Sequence, residues 1–223
     1  MVWRKMLVIT GTRHSGTLFL SSTLQTAGMT ALSRKRVLAG GRSPPGGMVA
    51  MPIHQLEEVG EQCDRVVALI RPWRAWASLM EEEEPKPELP HEVRWWFANY
   101  QLCCTLLRAK SRFLLLSHDK LLSRPEPSIR RVLRFLERED AMEAVLLLPA
   151  IAPSAPAYVC KGLLRNEQEV LDAFWQVVHN DRPMTRGFFK RMNVLQGTLQ
   201  SRYPQAGATD PMQESELLGR VLA

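Results

Sequence analysis

The sequence lacks the features that mark membrane and secreted proteins. No apolar run approaches the roughly 20 residues needed to span a bilayer, and no Asn-x-Ser/Thr acceptor occurs. Four cysteines are present, and they have neither the spacing of a disulfide framework nor that of a metal site: Cys63, Cys103, Cys104 and Cys160. The first apolar stretch runs into a polar loop, so it is expected to be a core strand rather than a signal peptide. We therefore expect a cytoplasmic protein with reduced thiols and no membrane span.

The composition is that of an ordinary globular protein with an excess of positive charge. The 223 residues are 45% hydrophobic and 23% charged, with a net charge of +6. We expect a single domain over residues 1–223, and the charge favours an anionic ligand. A basic row at Arg130, Arg134 and Arg138 lies opposite an apolar helix face, and we interpret it as a solvated surface. No nucleic-acid partner is expected, because no basic patch with interleaved aromatic residues is present.

The N-terminal stretch reads as a strand, a tight loop and a helix. Lys5–Thr10 is an apolar, β-branched run, Gly11 and Gly16 bracket a polar loop, and Thr17–Ala27 carries apolar residues at helical spacing. A loop between a strand and a helix N-terminus presents backbone N–H groups, which bind anions. The alternative is a plain turn.

This loop lacks two residues that a magnesium-dependent nucleotide triphosphatase needs. Such an enzyme has Lys after the second glycine and then Ser or Thr, which hold the phosphate and the metal. Here these positions are Thr17 and Leu18. We therefore expect anion binding that requires no metal.

Two further strands are predicted, and polar side chains follow each of them. Arg65–Ile70 leads to Arg71, with Ser78 about two helical turns later, and Phe113–Ser117 leads to His118. Ligands of parallel sheets bind at the carboxyl ends of the strands. A guanidinium and a hydroxyl together suit a phosphate.

The string Gly-x-x-His-Ser-Gly-Thr at Gly11–Thr17 resembles the 5′-phosphosulfate loop of the sulfotransferase family, with His14 where that family has Arg or Lys. Arg71-Pro72 followed by Ser78 resembles the family's 3′-phosphate element, although the spacing is one residue shorter. The stretch from Leu114 to Pro125 is similar to the family's Tyr-Glu-Asp-Leu hallmark, and His118 stands in place of the Tyr. Cys160-Lys161-Gly162 lacks the Arg of a late Arg-Lys-Gly element and is given no role.

The resemblance implies an α/β fold: a three-layer, P-loop-type parallel sheet flanked by helices, with a helical part from about residue 140. It implies transfer of a sulfuryl group from 3′-phosphoadenosine 5′-phosphosulfate (PAPS) to a hydroxyl or amine of a small-molecule or carbohydrate acceptor. Arg71 and Ser78 would hold the 3′-phosphate, and His118 would lie near the adenine. The 5′-phosphosulfate would be held by Gly11, Arg13, His14, Ser15, Gly16, Thr17 and Leu18, with Arg13 or His14 neutralising the leaving oxygen.

The general base is expected after the Gly/Pro-rich segment Ser33–Gly47, which is predicted to be a loop, either a flap over the acceptor or a connector. His54 is the first candidate, since histidine titrates near neutrality and the family draws its base from this region. Glu57 and Glu58 are possible, and His91 and His14 are reserves. The alternative for His54 is an exposed histidine at a helix start.

Two other functions are compatible with the same motifs. One is a P-loop nucleotide kinase or hydrolase with a degenerate loop, which would depend on magnesium and bind ATP or GTP. The other is a non-catalytic nucleotide-binding protein on the same fold.

Overall fold

The computed structural model describes residues 6–40, 44, 46–59, 63–109, 111–145, 149–152 and 158–206. The chain divides into two compact units. The sheet unit comprises Met1–Ile70 and Ala109–Pro153, and the helical unit comprises Arg71–Arg108 and Ser154–Ala223. The prediction of one domain over residues 1–223 stays a prediction.

The sheet unit is built on five strands among the residues described: β1 (Met6–Gly11), β2 (Thr30–Ala31), β3 (Gly47–Ala50), β4 (Cys63–Ile70) and β5 (Arg112–Ser117). They form one sheet in the order β2-β3-β1-β4-β5, and every neighbouring pair is parallel. Helices flank this sheet. The predicted α/β class with a parallel sheet is therefore confirmed.

The described helices are α1 (Thr17–Thr26), α2 (Arg34–Leu38), α3 (Leu56–Val59), α4 (Trp73–Glu83), α5 (His91–Arg108), α6 (His118–Ser123), α7 (Pro125–Phe135), α8 (Arg165–His179) and α9 (Arg186–Arg202). Short 3-10 helices cover Ile53–Gln55, Glu139–Ala144 and Pro204–Ala206. None of the described helices is long and apolar enough to cross a membrane.

The core of the sheet unit is aliphatic. Leu7 and Ile9 of β1, together with Leu69 of β4, pack in one cluster with apolar residues of α1 and α7. Val8 and Val66, whose positions alternate with these along the strands, are also fully buried. Burial on both faces is typical of a parallel sheet, and it explains why β1 and β4 are continuous apolar runs.

Two elements in the sheet unit differ from the prediction. Residues 33–47 were expected to be a loop, but α2 lies there, and its N-terminus is capped by Ser33 Oγ, which accepts from the Arg36 N–H at 3.2 Å. β3 was not predicted, because its four residues begin at Gly47 and follow a Gly/Pro-rich segment. Residues 41–43 and 45 of that segment lie outside the described residues.

The helical unit contains α4, α5, α8 and α9, and its core is aromatic. Trp95 and Trp96 of α5 meet Phe174 of α8 edge-on at ring-centroid distances of 5.8 and 6.4 Å. The sequence repeats apolar residues every three or four positions along α5, as an amphipathic helix does, and all of them are buried: Val93, Trp96, Phe97, Tyr100, Cys103, Cys104 and Leu107.

The cysteines and the basic row lie where the sequence suggested. None of the four cysteines, all of which are described, forms a disulfide, and burial raises the pKa of the Cys63 thiol to about 11. Cys63, Cys103 and Cys104 are buried, whereas Cys160 is only partly buried. Arg130 and Arg134 are exposed and pair with Glu126 at 2.9 Å and Glu139 at 2.8 Å, as in a solvated face.

Candidate functional site

The loop Gly11–Gly16 leaves the sheet at a place where parallel sheets bind ligands. It follows β1, whose chain continues to β2 on one side of the sheet, whereas the chain from the adjacent β4 continues to β5 on the other side. A crevice at the carboxyl ends of two such diverging strands is the usual ligand site of an open α/β sheet. The topology therefore supports the anion site predicted from the loop.

The backbone of the loop is a tight turn that ends in an uncapped helix. The Ser15 N–H donates to the Thr12 carbonyl at 3.1 Å. Gly16 has φ 90°, a left-handed conformation that glycine adopts without strain, and no side chain caps α1 there. The first N–H groups of an α-helix have no acceptor within the helix, so this end offers donors to an anion.

Glycine is required at position 11 because neighbouring atoms leave no room for a side chain. A Cβ atom at Gly11 would lie 2.5 Å from the Leu69 carbonyl oxygen and closer still to Ser15 Oγ. The Ser15 hydroxyl is therefore folded back over the end of β1, inside the loop. Any larger residue at position 11 would therefore displace both the Leu69 carbonyl of β4 and the Ser15 side chain.

Three hydroxyls around the loop are buried without a hydrogen-bond partner. Ser15 is 0% exposed, and Oγ of Ser15 and Oγ1 of Thr10 and Thr12 have no partner within the described ranges. A buried polar group that makes no bond costs about 1–3 kcal/mol, so three such hydroxyls at one loop are candidates for contact with a ligand. Ser15 was predicted as a site residue. Thr10 and Thr12 were not, although both flank Gly11 in the sequence.

His118 lies against the loop. It begins α6, directly after Ser117 of β5, and it is 7% exposed. A Cβ atom at Gly16 would lie 3.2 Å from His118 Cδ2 and 3.9 Å from His118 Nε2. The other ring nitrogen, Nδ1, lies 3.3 Å from Asp119 Oδ1. The structure thus brings the predicted residues Gly16 and His118 together.

The remaining loop residues lie at its rim. Arg13 and His14 are exposed, and His14 adopts φ 60°. Thr17 is the first residue of α1, and Leu18 beside it is 76% exposed. The cationic side chains predicted to neutralise a leaving oxygen are therefore at the surface of the loop.

Arg71 and Ser78 belong to the helical unit, whereas the loop belongs to the sheet unit. Arg71 follows the last residue of β4, and its carbonyl accepts from Trp95 Nε1–H at 3.0 Å. Ser78 is half-buried on α4. Their binding of a 3′-phosphate stays a prediction.

Among the predicted bases, His54 lies at the same edge of the sheet as the loop. It is exposed on the 3-10 helix that follows β3, and the chain before it is tied to β1 by the Met51 N–H, which donates to the Ile9 carbonyl at 3.0 Å. Glu58 is exposed on α3, and the Glu57 side chain lies outside the described residues. His91 is buried in the helical unit, where Nε2 bonds the Glu84 carbonyl at 3.0 Å, as in a structural histidine.

A buried carboxylate that the sequence did not single out lies in the helical unit. Glu92 is fully buried, and it accepts from Tyr158 OH at 2.5 Å, Cys160 Sγ at 3.2 Å, and the Lys161 and Gly162 N–H groups at 2.8 and 2.5 Å. Burial alone raises the pKa of Glu92, but these hydrogen bonds outweigh it and hold the pKa below its usual value. Its donors all come from the chain itself, so Glu92 secures the segment 158–162.

Compared with known proteins, the chain matches no family model and no curated sequence. Among solved structures, an unliganded sugar kinase from Janibacter sp. HTCC2649 is similar at 13% identity and a TM-score of 0.35. The likeness covers 63% of this chain and 98% of that chain. At this TM-score it does not bear on function. The described residues contain no group of three or more His, Cys, Asp or Glu that could hold a metal ion.

Proposed function

We propose that this chain is a sulfotransferase that moves a sulfuryl group from PAPS to a hydroxyl or amine of a small-molecule or carbohydrate acceptor. The observation that carries the proposal is the buried, unbonded Ser15 hydroxyl inside a loop that opens onto the uncapped N-terminus of α1. The loop motif and its resemblance to the sulfotransferase family specify the anion as a 5′-phosphosulfate.

The chemistry of the loop fits such an anion. From Gly11 to Leu18 the chain offers N–H and O–H donors and the cationic Arg13, and it contains no carboxylate. Magnesium prefers oxygen ligands such as carboxylates, whereas phosphate and sulfate oxygens need donors. A sulfuryl group carries less negative charge than a phosphoryl group, so donors of this kind can stabilise its transfer.

PAPS supplies an activated sulfuryl group when it is bound. The loop amides and Ser15 hold the oxygens of the phosphosulfate, and Arg13 or His14 stabilises the bridging oxygen, which keeps the electron pair as its bond to sulfur breaks. His54 accepts the proton that the acceptor loses as its oxygen or nitrogen bonds to sulfur. The products are the sulfated acceptor and adenosine 3′,5′-bisphosphate.

Isothermal titration calorimetry with adenosine 3′,5′-bisphosphate, compared with ATP plus magnesium, tests the donor. We expect the bisphosphate to bind more tightly than ATP, and we expect its affinity to be the same with and without EDTA. Tighter, magnesium-dependent binding of ATP would instead favour the nucleotide kinase or hydrolase.

Release of adenosine 3′,5′-bisphosphate from PAPS in acceptor mixtures tests catalysis. We expect His54→Gln to lose turnover while the bisphosphate still binds, and His179→Gln, at the end of α8, to serve as a control with full turnover. Full turnover in His54→Gln removes His54 from the mechanism. Binding without turnover in any acceptor mixture would favour a non-catalytic nucleotide-binding protein.

A further inference from the structure

The approach of His118 to Gly16 joins two elements that are far apart in the sequence. His118 follows β5, which is separated from β1 by β4 in the sheet. The pairs Gly11–Leu69 and Ile70–Ser117 place the carboxyl ends of the three strands at one edge. The imidazole therefore reaches the junction between the loop and α1, where the anion would bind.

The hydrogen bond to Asp119 decides which ring nitrogen of His118 is available. An ionised carboxylate accepts hydrogen bonds and cannot donate, so Nδ1 must carry the hydrogen in the contact with Asp119. None of the described residues bonds Nε2, which lies 3.9 Å from the Cβ position of Gly16. Nε2 is the nitrogen that can bind a ligand.

Arg13 and His14 are exposed at the rim of the loop, whereas His118 is buried beside Gly16, so water would screen a charge on its ring less. A protonated imidazole beside Gly16 would supply positive charge from within the site. The charged groups on the segments that meet there are Asp119 and Lys120 of α6 and Arg13 and His14 of the loop, and the neighbouring Leu69 carries none.

We propose that His118 binds the anion directly: with a proton on each ring nitrogen, it donates its Nε2–H to an oxygen of the group held by Gly11–Gly16, and Asp119, which accepts from Nδ1–H, is the positioning residue that orients the ring. This deepens the proposed function and rests on it. It also differs from the adenine contact that the resemblance implies for His118, because it assigns the ring to the 5′ end of the nucleotide.

Nitrogen NMR of the full chain with 15N-labelled histidine tests the assignment without any substitution. The probes are inorganic pyrophosphate, adenosine 3′,5′-bisphosphate and adenosine 3′-monophosphate, which lacks the 5′-phosphate. We expect the first two to move the Nε2 signal of His118 toward that of a protonated, donating nitrogen, and the third to leave it unchanged. A shift with both adenosine nucleotides and none with pyrophosphate would overturn the proposal in favour of an adenine contact.

Affinity for pyrophosphate in variants gives a second readout. We expect His118→Phe, which keeps a ring against Gly16, to lose about tenfold in affinity, the value of one charged hydrogen bond, with an unchanged melting temperature. His118→Gln should recover part of the lost affinity through its amide N–H. The affinity of Asp119→Asn should lie between that of the natural protein and that of His118→Phe. The matched control His179→Phe should bind like the natural protein.

The outcomes separate this proposal from the proposed function. If the bisphosphate binds and His118→Phe keeps full affinity, the role of His118 is wrong and the sulfotransferase proposal stands. If pyrophosphate shifts His118 and the bisphosphate does not bind, His118 is an anion ligand and the PAPS donor is wrong. Failure of all three probes to bind would overturn both.

Discussion

The buried polar groups of the helical unit and those of the loop after β1 differ in their hydrogen bonding within the chain. In the helical unit, Trp96 Nε1–H donates to Gln196 Oε1 at 3.0 Å, and Tyr100 OH donates to Asn193 Oδ1 at 2.8 Å. In the sheet unit, Thr12 and Ser15 are also buried, yet their hydroxyls have no partner in the described ranges. His91 Nδ1, Asn99 Oδ1 and Gln196 Nε2 of the helical unit also have no partner in the described ranges, but each of these side chains makes a hydrogen bond through its other polar atom, whereas the loop hydroxyls make none.

This difference distinguishes the structural polar groups from those that we propose to bind a ligand. By burial alone, Glu92 would be the leading candidate for a catalytic acid. Its carboxylate, however, is saturated by donors from the segment 158–162. The relevant property of the loop hydroxyls is therefore the missing bond, and four changes test this distinction.

Removal of the Glu92 carboxylate should have the largest effect on stability. Glu92→Ala empties a buried position and leaves the partly buried donors of the segment 158–162 without their acceptor, so we expect the free energy of unfolding to fall by about 3 kcal/mol or more. Urea denaturation monitored by tryptophan fluorescence measures it. A loss below about 1 kcal/mol would show that water replaces the carboxylate and that the bonds are not structural.

Acid should lower the free energy of unfolding of the natural protein more than it lowers that of the Glu92→Gln variant. The pKa of a glutamate in the unfolded chain is near 4.5, and the pKa of Glu92 in the folded protein is lower. The ionised Glu92 therefore stabilises the fold fully above pH 4.5, and this stabilisation is lost as the pH falls through the folded pKa. Each unit of this depression is worth about 1.4 kcal/mol. Unfolding measured at several pH values below 6 tests it. Glu137, whose pKa is lowered by the hydrogen bond from Arg65, is present in both proteins and cancels in the difference.

Removal of the Ser15 hydroxyl should weaken binding and leave stability intact. Ser15→Ala deletes a group that has no partner, so the free energy of unfolding should stay the same or rise slightly. Affinity for adenosine 3′,5′-bisphosphate should fall about tenfold, which corresponds to about 1.4 kcal/mol. Ser21→Ala is the matched control, because Ser21 is a buried serine that lies on α1 and outside the loop, and it should retain affinity. Equal losses in both variants would contradict a ligand bond to Ser15.

Removal of an exposed ion pair should have the smallest effect. Arg74 lies over the Trp73 ring and bonds Asp172 at 2.6 Å, but both charged side chains are nearly half exposed. Solvent screens such a pair, so Arg74→Ala should cost less than about 1 kcal/mol in thermal or urea unfolding. If Arg74→Ala lowered the free energy of unfolding as much as Glu92→Ala, the geometry of a hydrogen bond would matter more for stability in the helical unit than the burial of its partners.

The fold could be predicted where local composition and burial agree. β1 and β4 are apolar on both faces, and α5 repeats apolar residues every three and four positions, so each was evident from the sequence. β3 was hidden because it has four residues and begins at a glycine, and α2 because its five residues are mostly basic. The order of the strands depends on packing between distant segments, which no local pattern encodes.

The candidate site could be predicted in part. Gly11, Ser15 and Gly16 were evident because a tight loop between strand and helix needs small residues and donors. The contact between Gly16 and His118 was not, because it depends on the alignment of β1, β4 and β5 at one edge of the sheet. Glu92 was missed because its donors lie about seventy residues away in the sequence.

β1 is paired along both of its edges, by β3 and by β4. Strands that are paired along both edges are among the last to open in native-state hydrogen exchange. The Gly11–Gly16 loop therefore follows directly from one of the least deformable parts of its unit. An anion that binds there meets amides already in position and immobilises little additional backbone. Recognition at this edge of the sheet should consequently be rapid and carry a small unfavourable conformational entropy.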